Sequence, residues 1–306
     1  MGYRTEKTGP HVSQESENSI IKEEVNLQFH WYLFTFFITY FVSYLFTGLV
    51  LYVYIRFFFI PYFLNSRDFL SIFTYFPSLL ALILMPIIFI ISYLAHILLI
   101  ALFTRFFWGV TERISPSKDG IIPRNINSKI LNFYNIRSFL IKYPKNAVIK
   151  GPFPFLINWL YNFIGTNKIG KGSTLEEQFG ADRYVEIGKN SYIGVNSGFS
   201  SHSVAGIFGN ISYFKIKLGD NVTASALNCL APGVQIKNNA YLLPMAGATK
   251  HTILKGENNF YFGAPLRKIF RKKIVQYLNL SENDLEINEK LAEKHKKIIN
   301  ELDKLE

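Results

Sequence analysis

His202 lies in a segment rich in hydroxyl groups, with Ser200 and Ser201 before it and Ser203 after it. Imidazole titrates near neutral pH, so it is suited to removing a proton from an amine or hydroxyl nucleophile. The neighbouring serine hydroxyls can orient the ring or donate hydrogen bonds to a developing oxyanion. This combination indicates base-assisted attack on an activated acyl group. The alternative is structural, because histidine and serine are also ordinary residues where a chain turns a corner.

An apolar residue recurs at every sixth position on both sides of His202. The first run consists of Ile169, Leu175, Ala181, Ile187, Ile193 and Phe199. The second run, displaced by one residue in phase, consists of Leu218, Ala224, Leu230, Ile236, Leu242 and Ala248. A period of six suits neither a helix nor a flat strand, but it suits a solenoid whose wall turns once per repeat.

The turn chemistry of these repeats supports the same interpretation. Glycine follows the apolar position at Gly170, Gly188, Gly194 and Gly219, and asparagine lies three residues after it at Asn190, Asn196, Asn221 and Asn239. Both residue types tolerate the left-handed backbone that a sharp corner requires. Between the two runs the phase breaks over residues 204–217, which predicts a protruding loop that leaves the solenoid directly after His202.

These repeats resemble the hexapeptide-repeat acyltransferases. The resemblance is carried by IGKN at 187–190, LGDN at 218–221, PGV at 232–234 and the exit segment GAPLRKI at 263–269, which is similar to the family's closing segment. It implies a left-handed parallel β-helix that assembles as a homotrimer. In that family the working histidine lies in a cleft between subunits, often beside a loop, and His202 falls where the resemblance would place it.

The same resemblance implies a thioester donor such as an acyl-coenzyme A, bound along the groove between protomers. The candidates for contacting its phosphates are Lys250, Lys255, Arg267 and Lys268, although lysines also commonly form a solvated face. Asn196 and Asn228 are candidate polar contacts. Some members of the family bind zinc, but only His202 and His251 lie in the solenoid and zinc chemistry typically uses three ligands, so no metal is expected.

A narrower resemblance covers most of the chain. The apolar N-terminal region, the linker at 109–123, an amphipathic stretch and IGTNKIG at 164–170 together resemble the C-terminal module of poly-lysine-synthetase-type peptide synthetases. This implies a carrier-protein thioester as an alternative donor, and a carrier protein or synthetase as partner. The departure is that no adenylation or carrier domain is present in this sequence, so the activated donor must come from elsewhere.

The N-terminal third predicts transmembrane helices. Residues 31–61 contain one charged side chain, Arg56, and residues 69–104 contain none, so each stretch exceeds the roughly 20 apolar residues that cross a bilayer. We predict a disordered tail over 1–26 and a membrane region over 27–108 with two spans, at about 29–61 and 69–107. Four shorter crossings are the alternative. His96 lies in the second span, where a packing role competes with a polar site.

The charge distribution predicts the orientation. Basic and acidic residues are equal in number up to Trp108, so the whole net charge of +11 lies on the C-terminal side of that residue. The positive-inside rule then makes this a multi-pass protein of the cell membrane with a cytoplasmic β-helix domain, held close to the lipid surface. Nucleic acid is the rival partner for so basic a domain, but no recognised nucleic-acid motif accompanies the charge.

The predicted fold class is therefore α plus all-β. Residues 109–164 are expected to form a linker and amphipathic helices, which either lie in the membrane interface or cap the open end of the solenoid. The β-helix domain is placed at 165–265, and a C-terminal helical extension at 266–306. Leu291, Ile298 and Leu305 recur at heptad spacing there, which suits either a short coiled coil between protomers or a helix packed on its own solenoid.

Two functions follow from these features. The first is a membrane-anchored acyltransferase that moves an acyl or aminoacyl group from a thioester to an amine or hydroxyl acceptor, with His202 as base. The second is a non-catalytic trimeric membrane platform for a synthetase or transport partner. Cys229, the single cysteine, excludes an intramolecular disulfide and is expected to be a small buried hydrophobe.

Overall fold

The structure is a computed structural model. It describes residues 29–270 apart from 66–67, 125, 178–179, 181–182 and 207–208, together with Ser281, Glu286 and Lys290. Two long apolar helices form the N-terminal part, a layer of shorter helices follows, and a β-helix forms the C-terminal part.

The two long helices are α1 (Phe29–Leu64) and α3 (Phe76–Ile114), joined through the short helix α2 (Ser71–Thr74). They contain 36 and 39 residues, which corresponds to roughly 54 and 58 Å at 1.5 Å per residue. Both are long and apolar enough to cross a membrane, and only 17% and 22% of their most apolar windows are buried within the protein. They are thus compatible with a membrane anchor.

The helix ends differ from the sequence prediction. The first helix extends to Leu64, past Pro61, and the second begins at Phe76 rather than at residue 69. The second helix also continues to Ile114, so residues 109–114 of the predicted linker are helical. Pro86 lies inside α3 without ending it, because neighbouring turns and packed helices can satisfy the freed backbone carbonyl.

Three shorter helices connect α3 to the solenoid: α4 (Lys129–Leu140), α5 (Lys142–Ile149) and α6 (Ile157–Ile164). The N-terminus of α4 is capped by Ser128, whose hydroxyl accepts a hydrogen bond from the Leu131 amide at 3.2 Å. Tyr32 of α1 packs its ring 4.8 Å from that of Phe139, so α4 lies against the start of the first long helix.

Helix α6 caps the open end of the solenoid, which was one of the two predicted roles for this region. Leu160 and Ile164 are buried in the same apolar cluster as Ile169 of the first coil. The Asn162 side chain takes the place of a neighbouring strand at Ile169. Its Nδ2 donates to the Ile169 carbonyl at 2.9 Å, and its Oδ1 accepts from the Ile169 backbone amide at 2.8 Å. The exposed strand edge is thereby paired.

The solenoid consists of short strands that pair in parallel, and three parallel sheets form its faces. Its strands, with the flanking β1, are β1 (Gly120–Pro123), β2 (Lys168–Ile169), β3 (Thr174–Leu175), β4 (Val185–Ile187), β5 (Tyr192–Ile193), β6 (Gly198–Phe199), β7 (His202–Ala205), β8 (Asn210–Tyr213), β9 (Ile216–Leu218), β10 (Thr223–Ala224), β11 (Cys229–Leu230), β12 (Gln235–Ile236), β13 (Ala240–Leu242), β14 (Gly247–Ala248), β15 (Ile253–Leu254), β16 (Asn259–Phe262) and β17 (Arg267–Ile269). The faces are β2–β4–β9–β12–β15, β3–β5–β10–β13–β16 and β6–β11–β14.

The six-residue repeat is confirmed as the inward column of this β-helix. Ile169 pairs with Ile187, and Ile236 pairs with Leu254, so one coil returns to the same face after three hexads. These residues are buried. The predicted corner asparagines Asn190, Asn196, Asn221 and Asn239 all have φ between 52° and 59°. Ala181 lies outside the described residues, and the left-handed sense of the coil stays a prediction.

The predicted excursion is a β-hairpin rather than an irregular loop. Across this coil Phe199 pairs with Leu230, a spacing of 31 residues, whereas Leu230 pairs with Ala248 after 18. The extra chain forms β7 and β8, which pair antiparallel, and β1 from the predicted linker joins β8. His202 is therefore the first residue of the hairpin, not the last residue before it.

The C-terminal boundary also needs correction. Strand β17 pairs antiparallel with β16, so residues 267–269 extend the sheet instead of starting a helical extension at 266. An antiparallel strand ends the stack because its chain direction does not continue the coil. Most of the remainder of the predicted extension, including Leu291, Ile298 and Leu305, lies outside the described residues.

A half-buried ion pair links the hairpin's exit to the first complete coil. Lys215 Nζ lies 2.8 Å from Glu186 Oε1, and Lys168 Nζ lies 3.7 Å from the same oxygen. Burial alone would raise the pKa of Glu186, but the hydrogen bond from Lys215 and the charges of Lys215, Lys168 and Lys217 outweigh burial and lower it.

We expect Glu186→Gln to lower the free energy of unfolding by about 0.5–1 kcal/mol at pH 7. Because the folded-state pKa of Glu186 is lowered, this contribution is present above the unfolded pKa and is lost as pH falls through the folded value. Thermal unfolding of both proteins between pH 7 and pH 3 measures it, with the exposed Glu177→Gln as matched control. A destabilisation that is independent of pH would contradict the ion-pair explanation.

Candidate active site

The backbone around His202 is held by hydrogen bonds from the two preceding serines. Ser200 Oγ donates to the His202 carbonyl at 2.5 Å, and Ser201 Oγ donates to the Arg183 carbonyl at 2.9 Å. Ser201 is only 3% exposed, so its hydroxyl positions the chain instead of reaching the oxyanion contact considered from sequence. Tyr213 is the antiparallel partner of His202 across the hairpin.

A groove of about 680 Å³ runs over the β6–β11–β14 face and reaches His202. His202, Ser200 and Ser203 contribute polar side chains to its lining. Most of its other lining residues are small: Gly198, Cys229, Ala231, Gly247, Ala248, Thr249 and Ala264. Small side chains let a ligand approach the backbone closely, so the groove suits a narrow, extended molecule.

A buried cation–aromatic cluster, which we term the Arg183 cluster, lies behind His202 and consists of Arg183, Tyr134 and Tyr213. The guanidinium of Arg183 lies 4.6 Å from the centre of the Tyr134 ring and 5.6 Å from that of Tyr213. The Tyr134 ring meets the His202 ring edge-on, with centroids 6.0 Å apart. Burial raises the pKa of Tyr134, while the charge of Arg183 opposes that rise, so this phenol stays protonated at neutral pH.

Sequence reasoning missed the Arg183 cluster because its members come from α4, the first coil and the hairpin. The one available signal was the apolar face of the 127–143 stretch, in which Tyr134 lies. The cluster fixes the wall behind the imidazole by packing, since Arg183 is 3% exposed and contributes a cation–π contact to each ring.

Three of the four predicted phosphate-binding residues lie near this groove. Lys250 Nζ donates to Ser212 Oγ of the hairpin at 3.0 Å. Arg267 and Lys268 line a second groove of about 540 Å³, which shares Ala264 and Pro265 with the first. Lys255 lines neither groove; it directly follows β15, and its carbonyl accepts a hydrogen bond from the Tyr261 hydroxyl.

Other sequence candidates have structural surroundings. Asn228 is buried. Its side-chain oxygen accepts a hydrogen bond from the Ala246 amide at 2.9 Å, and its side-chain nitrogen donates to the Ser225 carbonyl. Asn196 is a corner residue with φ 58°. The His251 ring packs edge-on against Phe214 at 4.4 Å. Cys229 is exposed and lines the His202 groove, so the expectation that it is buried was wrong.

The remaining observations concern His96 and metal ligands. His96 is buried in α3, and its Nε2 lies 2.9 Å from the Tyr143 hydroxyl of α5, so this ring joins α3 to the shorter helices. Within the described part of the chain, no group of three or more histidine, cysteine, aspartate or glutamate side chains could hold a metal ion.

An exposed apolar column, termed the apolar corner, borders the groove. Val195, Leu227 and Met245 lie at the corner that precedes β6, β11 and β14 in three successive coils, and 41%, 50% and 68% of their surfaces are exposed. Leu227 and Met245 adopt φ of 61°, an uncommon conformation for such residues, so the corner geometry is imposed by the coil.

No protein-family model matches the chain, and no curated protein matches its sequence. Solved structures match part of it. A hexapeptide-repeat-containing acetyltransferase from Vibrio cholerae O1 biovar eltor, complexed with acetyl coenzyme A, is 18% identical over 35% of this chain and 61% of its own, with a TM-score of 0.32. A galactoside acetyltransferase in complex with coenzyme A is 26% identical over 34% of this chain and 54% of its own, with a TM-score of 0.29.

An N-acyltransferase from Bacillus cereus, in complex with dTDP and 3-hydroxybutyryl-CoA, is 18% identical over 38% of this chain and 79% of its own, with a TM-score of 0.26. This chain thus covers less than two thirds of the first two structures. The assignment of a parallel β-helix rests on the strand pairing of this chain itself.

Proposed function

We propose that this chain is a membrane-anchored acyltransferase, which moves an acyl or aminoacyl group from a thioester donor to an amine or hydroxyl acceptor. The observation that carries the proposal is that His202 lines a groove whose other lining residues are mostly small. An extended thioester arm would fit such a groove, and in this proposal its reacting carbonyl lies beside the imidazole.

His202 acts as the general base in this proposal. It removes a proton from the acceptor amine or hydroxyl as that atom attacks the thioester carbonyl. The carbon–sulfur bond then breaks, and the imidazolium returns the proton to the departing thiolate, which leaves as the thiol. Ser203, which also lines the groove, is the hydroxyl best placed to donate to the oxyanion, while Ser200 and Ser201 position the histidine.

The donor in this proposal is an acyl-coenzyme A, with a carrier-protein thioester as the alternative. Its phosphates would lie toward Arg267 and Lys268, because the groove that these residues line adjoins the His202 groove at Ala264 and Pro265. Lys250 would contribute from the hairpin side. Lys255 lines neither groove, so we do not propose it as a phosphate contact.

A homotrimer would complete the site. The His202 groove is open along one side, and the apolar corner of Val195, Leu227 and Met245 borders it. A second copy packed on this corner would bury apolar surface and supply the missing wall. The membrane anchor is α1 with α3, and the basic domain faces the cytoplasm by the positive-inside rule.

The donor assay tests this function together with the phosphate contacts. We expect the purified full chain to consume labelled acyl-coenzyme A in the presence of membrane extract, releasing free thiol and labelling an acceptor. Arg267→Ala and Lys268→Ala should each raise the KM for the donor about 5- to 30-fold, because each removes a charge-assisted contact worth about 1–2 kcal/mol. Lys255→Ala is the matched control and should leave KM unchanged.

The competing function is a non-catalytic trimeric platform at the membrane. The contact of His202 with Tyr134 favours it, because a ring packed on an aromatic side chain can serve structure alone. A trimer that consumes neither acyl-coenzyme A nor a carrier-protein thioester would support the platform and overturn the enzymatic proposal.

A further inference from the structure

An apolar pocket of about 620 Å³, termed the helix-end pocket, lies where the start of α1, the end of α3 and helix α4 meet. Its apolar walls are formed by Trp31 and Phe34 of α1, Phe107 and Val110 of α3, and Phe133 and Ile136 of α4. Its volume exceeds that of a single side chain several times over, and such an apolar lining suits a hydrocarbon chain.

The helix-end pocket continues an apolar stripe along α3. Leu98, Leu102, Phe106 and Val110 follow one another at four-residue spacing, and each is between 37% and 64% exposed. Residues at this spacing share one face of a helix, and the opposite face is covered by the shorter helices and the solenoid cap. A hydrocarbon chain can therefore pass from the middle of α3 to the pocket without crossing polar surface.

The mouth of the pocket is polar and positively charged. This rim consists of Asn127, Ser128, Lys129 and Asn132. In the part of the chain that the structure describes, Lys129 is the one charged side chain that lines the pocket. Lys129 is exposed and stands at the first position of α4, where the helix dipole disfavours a cation. An anionic group at the mouth would compensate that charge.

Helix α4 joins the helix-end pocket to the candidate active site. Phe133 lines the pocket, and the next residue, Tyr134, which projects about 100° further around the helix, meets the His202 ring. An α-helix with its side chains is about 10–12 Å across. A molecule held in the pocket must pass around part of α4 to reach His202, so its polar part has to extend beyond the pocket mouth.

We propose that the helix-end pocket binds the hydrocarbon chain of an anionic, lipid-linked acyl acceptor, with its phosphate near Lys129 and its amine or hydroxyl extended to His202. The catalytic half of this inference rests on the proposed acyltransferase function, whereas the binding half does not. The acceptor is thus drawn from the bilayer that anchors the protein, and a water-soluble molecule with the same headgroup is a poor substrate.

Photolabelling tests the binding half. The probe is phosphatidylglycerol with a diazirine in one acyl chain, incorporated into vesicles with the full-length protein. We expect the label on peptides from the end of α3 and from α4. Val110→Trp, which fills the pocket, should reduce this labelling about tenfold, whereas the matched control Val53→Trp, at an exposed position in α1, should not. Lys129→Gln should reduce it about fivefold for phosphatidylglycerol only, and not for phosphatidylcholine with the same chain.

Equal labelling of the Val110→Trp and Val53→Trp proteins would overturn the binding site, because the labelled lipid would then bind elsewhere.

The acceptor assay tests the catalytic half of the inference. Val110→Trp should lower kcat/KM for lipid-extract acceptors about tenfold and leave the KM for the thioester donor unchanged. Pocket-specific labelling without any acyl transfer by the wild-type protein would remove the enzymatic function while supporting the lipid site. Unchanged lipid acylation by Val110→Trp would overturn the lipid-linked acceptor itself.

Discussion

Replacing His202 with alanine is expected to reduce acyl transfer by about 10²- to 10⁴-fold, the range that a positioned general base contributes. The imidazole reaches the groove that Ser200 and Ser203 also line, and its backbone is held by the Ser200 hydroxyl and by the anchored Ser201. Alanine removes the proton acceptor while those backbone contacts remain. The loss should therefore appear in kcat more than in donor KM, measured as thiol release from labelled acyl-coenzyme A.

His251→Ala is the matched control for this experiment. His251 is the other histidine of the solenoid, and its ring packs on Phe214 outside the residues that line the His202 groove. We expect this variant to keep its rate within about threefold of wild type. A His202→Ala protein that assembles normally and retains full activity would remove His202 from the mechanism and leave the groove without a base.

The largest structural effect is expected from Phe199→Ala. Phe199 is 1% exposed, belongs to the face that floors the groove, and pairs through its strand with Leu230 of the next coil. Truncating a fully buried phenylalanine leaves a cavity that a close-packed coil cannot refill, which lowers the free energy of unfolding by about 3–5 kcal/mol. Thermal unfolding of the purified protein should show a correspondingly lower midpoint.

Phe262→Ala provides the comparison for Phe199→Ala. Phe262 also lies in the solenoid, in β16, but 43% of its surface is exposed. Its truncation removes less buried contact and should cost about 1 kcal/mol or less. If both variants unfold at the same temperature, Phe199 is not a core residue and the coil assignment around the groove is wrong.

The solenoid could be predicted from sequence because its pattern is local and repeated. Each coil returns to the same face after three hexads, so Ile169 and Ile187 occupy equivalent positions and must both be apolar. The corners demand left-handed backbone at regular intervals, and Asn190 and Asn221 mark them. The long apolar helices were predictable for a similar reason, since length and uniform composition are visible in a single stretch of chain.

The elements that interrupt this repetition were not predictable in the same way. Strand β1 lies in a stretch containing Pro116, Gly120 and Pro123, which is typical of a linker, and it becomes a strand because β8 offers an unpaired edge. The antiparallel β17 lies at the start of the basic, amphipathic sequence after Leu266, which was expected to form a helical extension. In both places a distant partner strand decided the local conformation.

The amino-acid sequence by itself determined the coil, its corners and the apolar helices, because these depend on spacing and residue type along the chain, and it offered His202 as the candidate base. Only the tertiary structure decided what surrounds that histidine. Tyr134 and Arg183 are far from His202 in sequence, and they meet it because α4 packs on the hairpin and the first coil. Contacts between segments so far apart depend on how whole elements pack, and no periodicity within one segment encodes that packing.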